Sequence, residues 1–482
     1  MRRKGLWLVV PLLLTNVAIV AQTGPPPASV NPPQTAGPPT QAQPSVSQAP
    51  SQTPSPAPPA IPTPQLPASG TPQRLTVQDA EALARKNNPQ ISVYRLLSLA
   101  SNQVTREQKA AYYPILYGSL TAVEPRDSGS RIAAGNLNNP IVYERAAGGL
   151  TLAQLITDFG RTNNLVASAA LRAKAADMNA VATTDQIKLA VDQAFYNALQ
   201  SSAEQTVAEQ TVKARQLVSD QITTLFQNKL RSQLDVSFAD ANLAQAKLLL
   251  LDAQNNYQAS LSILSQVLGY TSQQPFQLVD TEGELKPPPD AVSQLIDEAF
   301  SNRPEIAAQG YEYQAAQHFQ KAERDLLLPS VEALGVVGRT PFSPNVGGVS
   351  PFPDWYGAIG VNVNVPIFNG FLYPARSREA AFRAKADAEQ LRDLKDRIAN
   401  DVRTSWLNAI TAYNRIAVSQ QFVDQTNLAV NLSETRYNLG LSSIVELSQA
   451  QLQQTEAQIQ YAAAKYRYRI AESVLRFQIA AP

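Results

Sequence analysis

The chain has 482 residues, of which 44% are hydrophobic, and its 40 basic and 39 acidic side chains leave a formal net charge of +1. Without an excess of positive charge or a long basic run, a nucleic-acid partner is not expected. The absence of cysteine excludes disulfides, thiolate metal sites, thiol catalysis and lipid attachment to an N-terminal cysteine.

The first residues have the order of a secretory signal peptide. Basic residues at positions 2–4 precede an apolar run that ends in the small residue Ala21. A transmembrane anchor is the alternative, but Pro11 and Asn16 interrupt the run and no charged stop-transfer segment follows it. No other stretch reaches the ~18 apolar residues of a spanning helix. We therefore predict a signal peptide at residues 1–21 and an exported mature protein.

Residues 22–73 form a tract with its own composition. From Gly24 to Gln73 there is no charged residue, and 17 of the 35 prolines lie there. Such a tract cannot bury enough apolar surface to offset the entropy lost on ordering. It is predicted to be a disordered, extended tether with polyproline II character. Recognition of its prolines by a partner is the alternative.

The folded part is predicted to begin at residue 74 with a short helix. Thr76 and Asp79 have the identity and spacing of a capping box. Asn88 and Pro89 then have the order of a helix cap and a first helical position. The helix that follows is expected to run as far as the next proline.

Prolines 25 residues apart open and close a helix in each half of the chain. They are Pro89 and Pro114 in the first half and Pro304 and Pro329 in the second. Short extended segments follow each closing proline. The sequence thus predicts the same order of elements twice.

The extended segments predict two β-hairpins, at 115–155 and 331–366, each with a long polar loop. In the last segment Ile359, Val361 and Val363 alternate with glycine and asparagine. This period of two is typical of a strand with one apolar face.

Very long helices follow the hairpins. The 68 residues after Gly160 contain no proline or glycine, and the 69 residues after Gly370 contain one proline. At ~1.5 Å rise per residue each run would be about 100 Å long. In the returning helices a small residue recurs every seventh position, which predicts left-handed coiled coils. These positions are Ala239, Ala246, Ala253 and Ser260, and Ala450, Ala457, Ala464 and Ala471.

Each long helix is predicted to turn back at a tip, near 229–232 and near 440–443. Across an offset of 211 residues, Phe226 matches Tyr437, Leu230 matches Leu441, Ser232 matches Ser443 and Asp235 matches Glu446. The chain is therefore predicted to contain two structural repeats, residues 74–284 and 285–482.

Four strands leave two open sheet edges, which lipid does not tolerate, and bacterial barrels have at least eight strands. The strands therefore either stay outside a membrane or share one barrel with other copies. Aromatic residues near the strand ends favour the membrane, because aromatic girdles mark the two interfaces. These predicted membrane-interface aromatics are Tyr112, Tyr113, Trp355, Tyr356, Phe368 and Phe371.

The order and duplication of these elements resemble the TolC-like outer-membrane efflux protein family, over roughly Leu75 to Ala480. The tip sequence Tyr437-Asn-Leu-Gly-Leu-Ser-Ser is similar to the family's second tip. Leu326-Leu-Leu-Pro329 resembles its barrel entrance, with Pro114 as the equivalent proline of the first copy, and Val365-Pro-Ile-Phe-Asn-Gly370 resembles its barrel exit. The resemblance implies a mainly α protein with a membrane β part: a homotrimer with one twelve-stranded barrel in outer-membrane lipid, on a helical tunnel through the periplasm.

The resemblance also implies a function. It predicts a passive exit duct of a tripartite transport system, with a periplasmic adaptor and an inner-membrane transporter as partners. The implied adaptor-docking residues at the tips are Lys229, Leu230, Ser232, Gly440, Leu441 and Ser443. The chain departs from the family at Lys229, where glycine is frequent.

The resemblance extends to a gate at the tips. A trimer brings three copies of each tip to one axis, so Glu446 could form a carboxylate ring that attracts cations, with Asp235 as the weaker candidate. The alternative is a solvated carboxylate at a helix start. Some relatives place two acidic residues here, whereas this chain has Glu446 followed by Gln449.

Two other functions are alternatives to a small-molecule efflux duct. One is the exit duct of a type I protein secretion system, and the other is a soluble periplasmic coiled-coil scaffold or adaptor. An enzyme is not expected, because no phosphate-binding, dinucleotide-binding or nucleophile motif is present. The sole histidine, His318, is predicted to be a helix surface or helix–helix residue, and neither a cofactor nor a metal is expected.

Overall fold

The structure, a computed structural model, describes residues 73–124, 145–280, 283–342 and 354–480. They all belong to the second of two units into which the chain divides, Leu66–Pro482. The predicted signal peptide lies outside the described residues, as does the predicted tether up to residue 72.

Helices dominate the described ranges, with strands between them. The helices are α1 (Val77–Asn87), α2 (Pro89–Lys109), α3 (Arg161–Gln227), α4 (Gln233–Val267), α5 (Val292–Asn302), α6 (Pro304–Asp325), α7 (Leu372–Asn438) and α8 (Ile444–Ile479). The strands are β1 (Gln73–Leu75), β2 (Ile115–Val123), β3 (Arg145–Thr157), β4 (Phe276–Leu278), β5 (Ser330–Phe342) and β6 (Trp355–Asn364). None of the helices in these ranges has both the length and the apolar character that crossing a membrane requires.

Both predicted hairpins are present and join in one antiparallel sheet with the order β2-β3-β5-β6. β3 of the first repeat pairs with β5 of the second, for example Ala153 with Leu334. β3 and β5 extend beyond the predicted segments because the pairing between them continues as far as Ala146 and Phe342. β2 and β6 are the two edges of the sheet.

The register divides the sheet into two unlike faces. On one face Leu116 lies beside Leu152, Leu152 beside Gly335 and Gly335 beside Ile359. We call this the apolar face. Its exposed side chains are Leu116, Leu120, Leu150, Leu152, Val337, Ile359, Val361 and Val363. The opposite, polar face carries most of the sheet's hydroxyl, amide and carboxyl side chains, among them Ser119, Thr121, Thr151, Glu332, Asn362 and Asn364.

The helices form a row that continues the order of the strands. Near the sheet, α3 packs against α2 and α6, and α6 packs against α7. Toward the tips, α3 packs against α4 and α8, and α8 packs against α7. The outer members of the row are therefore α2 and α4 on one side and α7 on the other, next to the edge strands β2 and β6.

The predicted long helices are confirmed, since α3 and α7 have 67 residues each. The heptad positions of α4 and α8 are buried, with the exception of the half-buried Ala471. Small side chains at these positions let neighbouring helices approach closely.

The short helices begin where the sequence predicts and end earlier. Thr76 and Asp79 form the capping box of α1, and the Asn88 side chain accepts a hydrogen bond from Gln90 N–H at the start of α2. However, α2 gives way to a 3-10 turn after Lys109, and α6 ends at Asp325. Each helix thus stops about one turn before its closing proline, because proline disfavours helical backbone in the residue before it.

The parallel pair β1–β4 was not predicted. Gln73, the last residue of the predicted tether, pairs with Phe276, and Leu75 pairs with Leu278. Leu75 is fully buried in a core with Phe195 and Leu264. This pair ties the start of the first repeat to the segment that leads into the second.

Candidate functional site: the paired helical tips

The first tip ends α3 with a left-handed residue. Lys229 has φ 57°. Its N–H donates to Phe226 O at 2.8 Å, and Leu230 N–H donates to Leu225 O at 2.9 Å. Together these two bonds form a Schellman motif, which satisfies carbonyls at the helix end.

The second tip repeats this geometry at the end of α7. Gly440 has φ 75°. Its N–H donates to Tyr437 O at 3.0 Å, and Leu441 N–H donates to Arg436 O at 2.8 Å. The two tips, which were predicted to correspond, therefore make the same pair of backbone hydrogen bonds. Lys229 adopts the left-handed backbone conformation that Gly440 has in the second tip. The lysine at this position therefore leaves the backbone turn unchanged.

The two returning helices start with serine caps but use their carboxylates differently. In the first tip the Asp235 Oδ2 accepts from Ser232 N–H at 3.0 Å and from Ser232 Oγ at 2.9 Å. In the second, Glu446 N–H donates to Ser443 Oγ at 3.4 Å. The Glu446 carboxylate turns instead to Arg436, whose Nε lies 3.3 Å from its Oε1.

An arginine joins the two tips. The Arg231 guanidinium lies 4.1 Å from the centre of the Tyr437 ring, and its Nη2 donates to Tyr437 O at 2.8 Å. Tyr437 is only 4% exposed and packs in a small core with Ile222 and Leu447. Burial raises the pKa of the Tyr437 hydroxyl, and nearby Asp235 adds to this. Neither Arg231 nor Arg436 was identified from the sequence, because their partners come from distant segments or from across the turn.

Several large apolar side chains are exposed at the paired tips. Leu230, Leu439 and Leu441 are each 68% exposed. Leu234 and Val445 are exposed beside them. All six residues predicted to dock an adaptor (Lys229, Leu230, Ser232, Gly440, Leu441 and Ser443) are exposed. Exposed apolar patches of this kind mark interaction surfaces.

The predicted interface aromatics lie at both ends of the sheet. Tyr112, Tyr113, Phe368 and Phe371 flank the end next to the long helices, and all four are exposed. The Phe368 and Phe371 rings meet edge to face with centroids 5.5 Å apart. Pro114 and Pro329 stand at this end, directly before the first residues of β2 and β5.

Trp355 and Tyr356 lie at the other end of the sheet, on different faces. Trp355 is exposed on the apolar face, where Arg339 lies 5.5 Å from its ring centre. Tyr356 lies on the polar face, and its ring crosses Gly338 and Gly149 on the two neighbouring strands. A Cβ added at either glycine would come within 2.6 Å of the Tyr356 hydroxyl. The absence of a Cβ at these two glycines therefore leaves the space that the Tyr356 ring occupies.

A small charged cavity lies far along the chain from the tips, between α1, α3, α6 and α8. Its volume is about 180 Å³, and its charged lining residues are Glu81, Asp185, Lys188, Asp192, Arg303, Glu305 and Arg476. Burial raises the pKa of Asp192 to about 7, and the neighbouring Glu81 carboxylate contributes to this. Sequence reasoning missed this carboxyl pair, because its members are on different helices.

The described ranges contain no group of three or more His, Cys, Asp or Glu side chains arranged to hold a metal ion. The sole histidine makes a helix–helix contact, as predicted. His318 Nδ1 lies 3.0 Å from Asn164 Oδ1, which links α6 to α3.

Known proteins are similar to this chain in sequence and in fold. The chain is 24% identical over 406 residues to the outer membrane protein TolC of Salmonella enteritidis, covering 82% of this chain and 80% of that one. It is 24% identical over 417 residues to the alkaline protease secretion protein AprF of Pseudomonas aeruginosa, covering 84% of each. The CmeC outer membrane channel of Campylobacter jejuni superposes with a TM-score of 0.72 at 16% identity, over 84% of this chain and 85% of that one.

A family model matches most of the folded part. The model described as "Outer membrane efflux protein" covers residues 81–270 and 295–480, one segment in each repeat. The chain therefore belongs to the outer membrane efflux protein family and is an outer-membrane channel rather than an enzyme, with its helical part in the periplasm.

Proposed function

We propose that the protein is the exit duct of a tripartite transport system. In this proposal substrates pass from an inner-membrane transporter through a periplasmic adaptor into the duct and out of the cell. The observation that carries the proposal is a sheet with one apolar face, continuous with helices about 100 Å long that end in exposed apolar tips. The sheet suits a membrane, the helices suit the periplasm, and the tips suit a protein partner.

The partner at the tips is proposed to be the adaptor. Leu230, Leu439 and Leu441 are exposed apolar side chains at the tips, and exposed apolar side chains of this size often mark contacts with another protein. A photoreactive residue at Leu441 should capture the adaptor in cells. The same residue at Leu407, which is exposed on α7 well before the tip, should capture none.

The duct is proposed to be a homotrimer with a twelve-stranded barrel. The strand row has free edges at β2 and β6, and the helix row ends at α2 and α4 on one side and α7 on the other. Strand edges and helix faces are thus left open on the same two sides. A neighbouring copy whose β2 pairs with the β6 of this copy would cover the open strand edge and the open helix face at once. Such a head-to-tail contact closes into a ring.

A cysteine pair tests this assembly, because the natural chain contains no cysteine. In one variant, Ser119→Cys on β2 and Ala358→Cys on β6 place thiols on the polar face of the two edge strands. Within one protomer three strand spacings of ~4.8 Å separate them, about 14 Å. A shorter bis-maleimide should therefore link neighbouring copies, giving covalent dimers and trimers and nothing larger.

The control is the variant with Thr151→Cys and Val336→Cys, which are paired directly within one protomer. It should react inside the chain and stay at the monomer mass after denaturation. Monomers alone from the edge pair, or a ladder that continues beyond the trimer, would contradict the proposed ring.

The gate is proposed to lie at the tips, with Glu446 as the carboxylate of a three-fold ring. Asp235 is less suited, because its Oδ2 already caps its own helix. The Glu446 carboxylate is about half exposed and pairs with the half-exposed Arg436. Like charges brought together attract cations. Glu446→Gln should therefore lower cation selectivity and block by a trivalent cation in planar bilayers, with unchanged trimer yield.

Asp235→Asn is the matched variant for the gate. It should leave selectivity and block as in the natural protein and weaken the start of α4, because the charged acceptor of the capping box is lost. Equal selectivity and block in the natural protein and Glu446→Gln would remove Glu446 from the gate.

A further inference from the structure

Among the residues that the structure describes, Arg215 is a buried cation without a charged partner. It lies on α3, about three turns before this helix ends at Gln227, and is 8% exposed. In the part of the chain that the structure describes, its guanidinium makes one hydrogen bond, from Nη2 to Thr455 Oγ1 at 3.3 Å. Burial alone lowers the pKa of Arg215 to about 10, with no carboxylate to oppose it. A guanidinium has five N–H donors, so most of its hydrogen-bonding capacity is unused.

The guanidinium borders a cavity between α3, α4 and α8. The volume of this cavity is about 380 Å³, within the range of small-molecule sites. Its polar lining includes Asn242, whose Nδ2 donates to Ser448 Oγ at 2.7 Å. Because Ser448 Oγ accepts that bond, its own proton is free for another acceptor. The apolar lining consists of Ala246, Leu249, Leu452 and Ile459.

We propose that this cavity binds a monovalent carboxylate that carries a short apolar chain. The planar fork of Arg215 matches a carboxylate with two parallel hydrogen bonds. A single cation suits a single negative charge, and exposed Glu456 at the same cavity disfavours a dianion. The leucine and isoleucine side chains provide room for an apolar chain beside the charge.

The uncompensated charge is the reason to expect a ligand. A cation removed from water is costly unless it is paired, and an apolar residue in its place is often more stabilising. Another buried arginine, Arg469 on α8, pairs with Glu472 at 3.2 Å. Arg215 thus lacks what an equally buried arginine in the same protein has.

Binding is measured on the full-length protein in lipid nanodiscs by saturation-transfer NMR with hexanoate as the probe. We expect saturable binding to the natural protein and at least a tenfold loss in Arg215→Met, which keeps the length and removes the charge. Arg403→Met, which changes an exposed arginine of α7, should bind as the natural protein does. The neutral isostere hexanamide should not bind to any of them.

A second measurement covers the case in which Arg215→Met assembles poorly. Crystals of the natural protein soaked in 6-bromohexanoate should give an anomalous bromine peak inside the cavity, with the carboxylate on the Arg215 guanidinium. Unsaturable hexanoate binding, undiminished binding in folded Arg215→Met, equal binding of chloride, or a cavity without a bromine peak would each overturn the proposal.

Discussion

At the scale of single residues, Lys229 and Gly440 show one backbone conformation reached with different side chains. Both have φ between 57° and 75° at equivalent positions of equivalent turns. Left-handed backbone costs an ordinary L-residue roughly 1–2 kcal/mol and costs glycine almost nothing. The first tip therefore carries strain that the second lacks. No atom lies within 4 Å of a Cβ built on Gly440, so the difference comes from the backbone and not from crowding.

Swapping lysine and glycine between the two positions should make the first turn the more stable of the two. Lys229→Gly should stabilise the first turn and Gly440→Lys should destabilise the second, each by ~1 kcal/mol. Hydrogen–deuterium exchange of the Leu230 and Leu441 amides measures this, because each amide closes its turn. A change of ~1 kcal/mol corresponds to about a fivefold change in protection.

Lys229→Ala separates the backbone from the side chain. It removes the lysine side chain and keeps a Cβ in the left-handed conformation, so it should leave the protection of Leu230 nearly unchanged. If Lys229→Ala protects this amide as strongly as Lys229→Gly, the strain is not in the backbone.

The raised pKa of Asp192 predicts that the stability of the protein depends on pH. Its pKa is raised to about 7 in the folded protein, from about 3.8 for a free side chain. The folded state thus binds a proton more tightly at this group, so the contribution of Asp192 to stability is greatest below pH ~4 and is lost as pH rises through 7. Above pH 7 two carboxylates face each other where α1 meets α3. Lys188, 3.7 Å from Glu81, offsets only part of the repulsion.

We therefore expect amide exchange in α1 to increase between pH 6 and 8, after correction for the intrinsic rate. Asp192→Asn should remove this increase, because the amide does not ionise. Asp177→Asn, on the same helix but outside this cavity, is the control and should keep it. A pH dependence unchanged in Asp192→Asn would assign it to another group.

At the scale of elements, the two faces of the sheet should differ in how well they tolerate a charged side chain. Ile359 is 95% exposed on the apolar face of β6, and the next residue back, Ala358, is on the polar face. A lysine on a lipid-facing position near the bilayer centre costs ~2–4 kcal/mol, whereas lumen positions tolerate charge. Ile359→Lys should therefore strongly reduce folded protein in the outer-membrane fraction, and Ala358→Lys should not.

Two further variants complete this comparison. Val361→Lys, on the same face, should behave as Ile359→Lys does, and Asn362→Lys should behave as Ala358→Lys does. The opposite ranking would mean that the polar face is turned toward lipid.

Periodic elements could be predicted from the sequence, and contacts between distant segments could not. The alanine heptads, the capping box of Thr76 and Asp79, and the repeated turn are local patterns, so each was visible within a few residues. The β1–β4 pair consists of three-residue strands, which are too short to show a period. The stacking of Arg231 on Tyr437 joins positions 206 residues apart, and no local pattern indicates it.

The same limit applies to the candidate site. The residues predicted to dock an adaptor were identified because the two tips match each other and resemble the family's tip. The roles of Arg231, Arg436 and the Asp192–Glu81 pair depend on which helices become neighbours. Charges on a long helix look alike in sequence, and packing alone decides which are buried.

At the scale of the whole molecule, the two free sides of the strand and helix rows are unlike. One side presents β2 with α2 and α4, and the other presents β6 with α7. A copy with a damaged β6 side would keep an intact β2 side, so it would still join a normal neighbour in the proposed ring. The ring would then fail to close. In cells that carry one normal and one damaged gene, most rings would contain a damaged copy, and the defect would be genetically dominant.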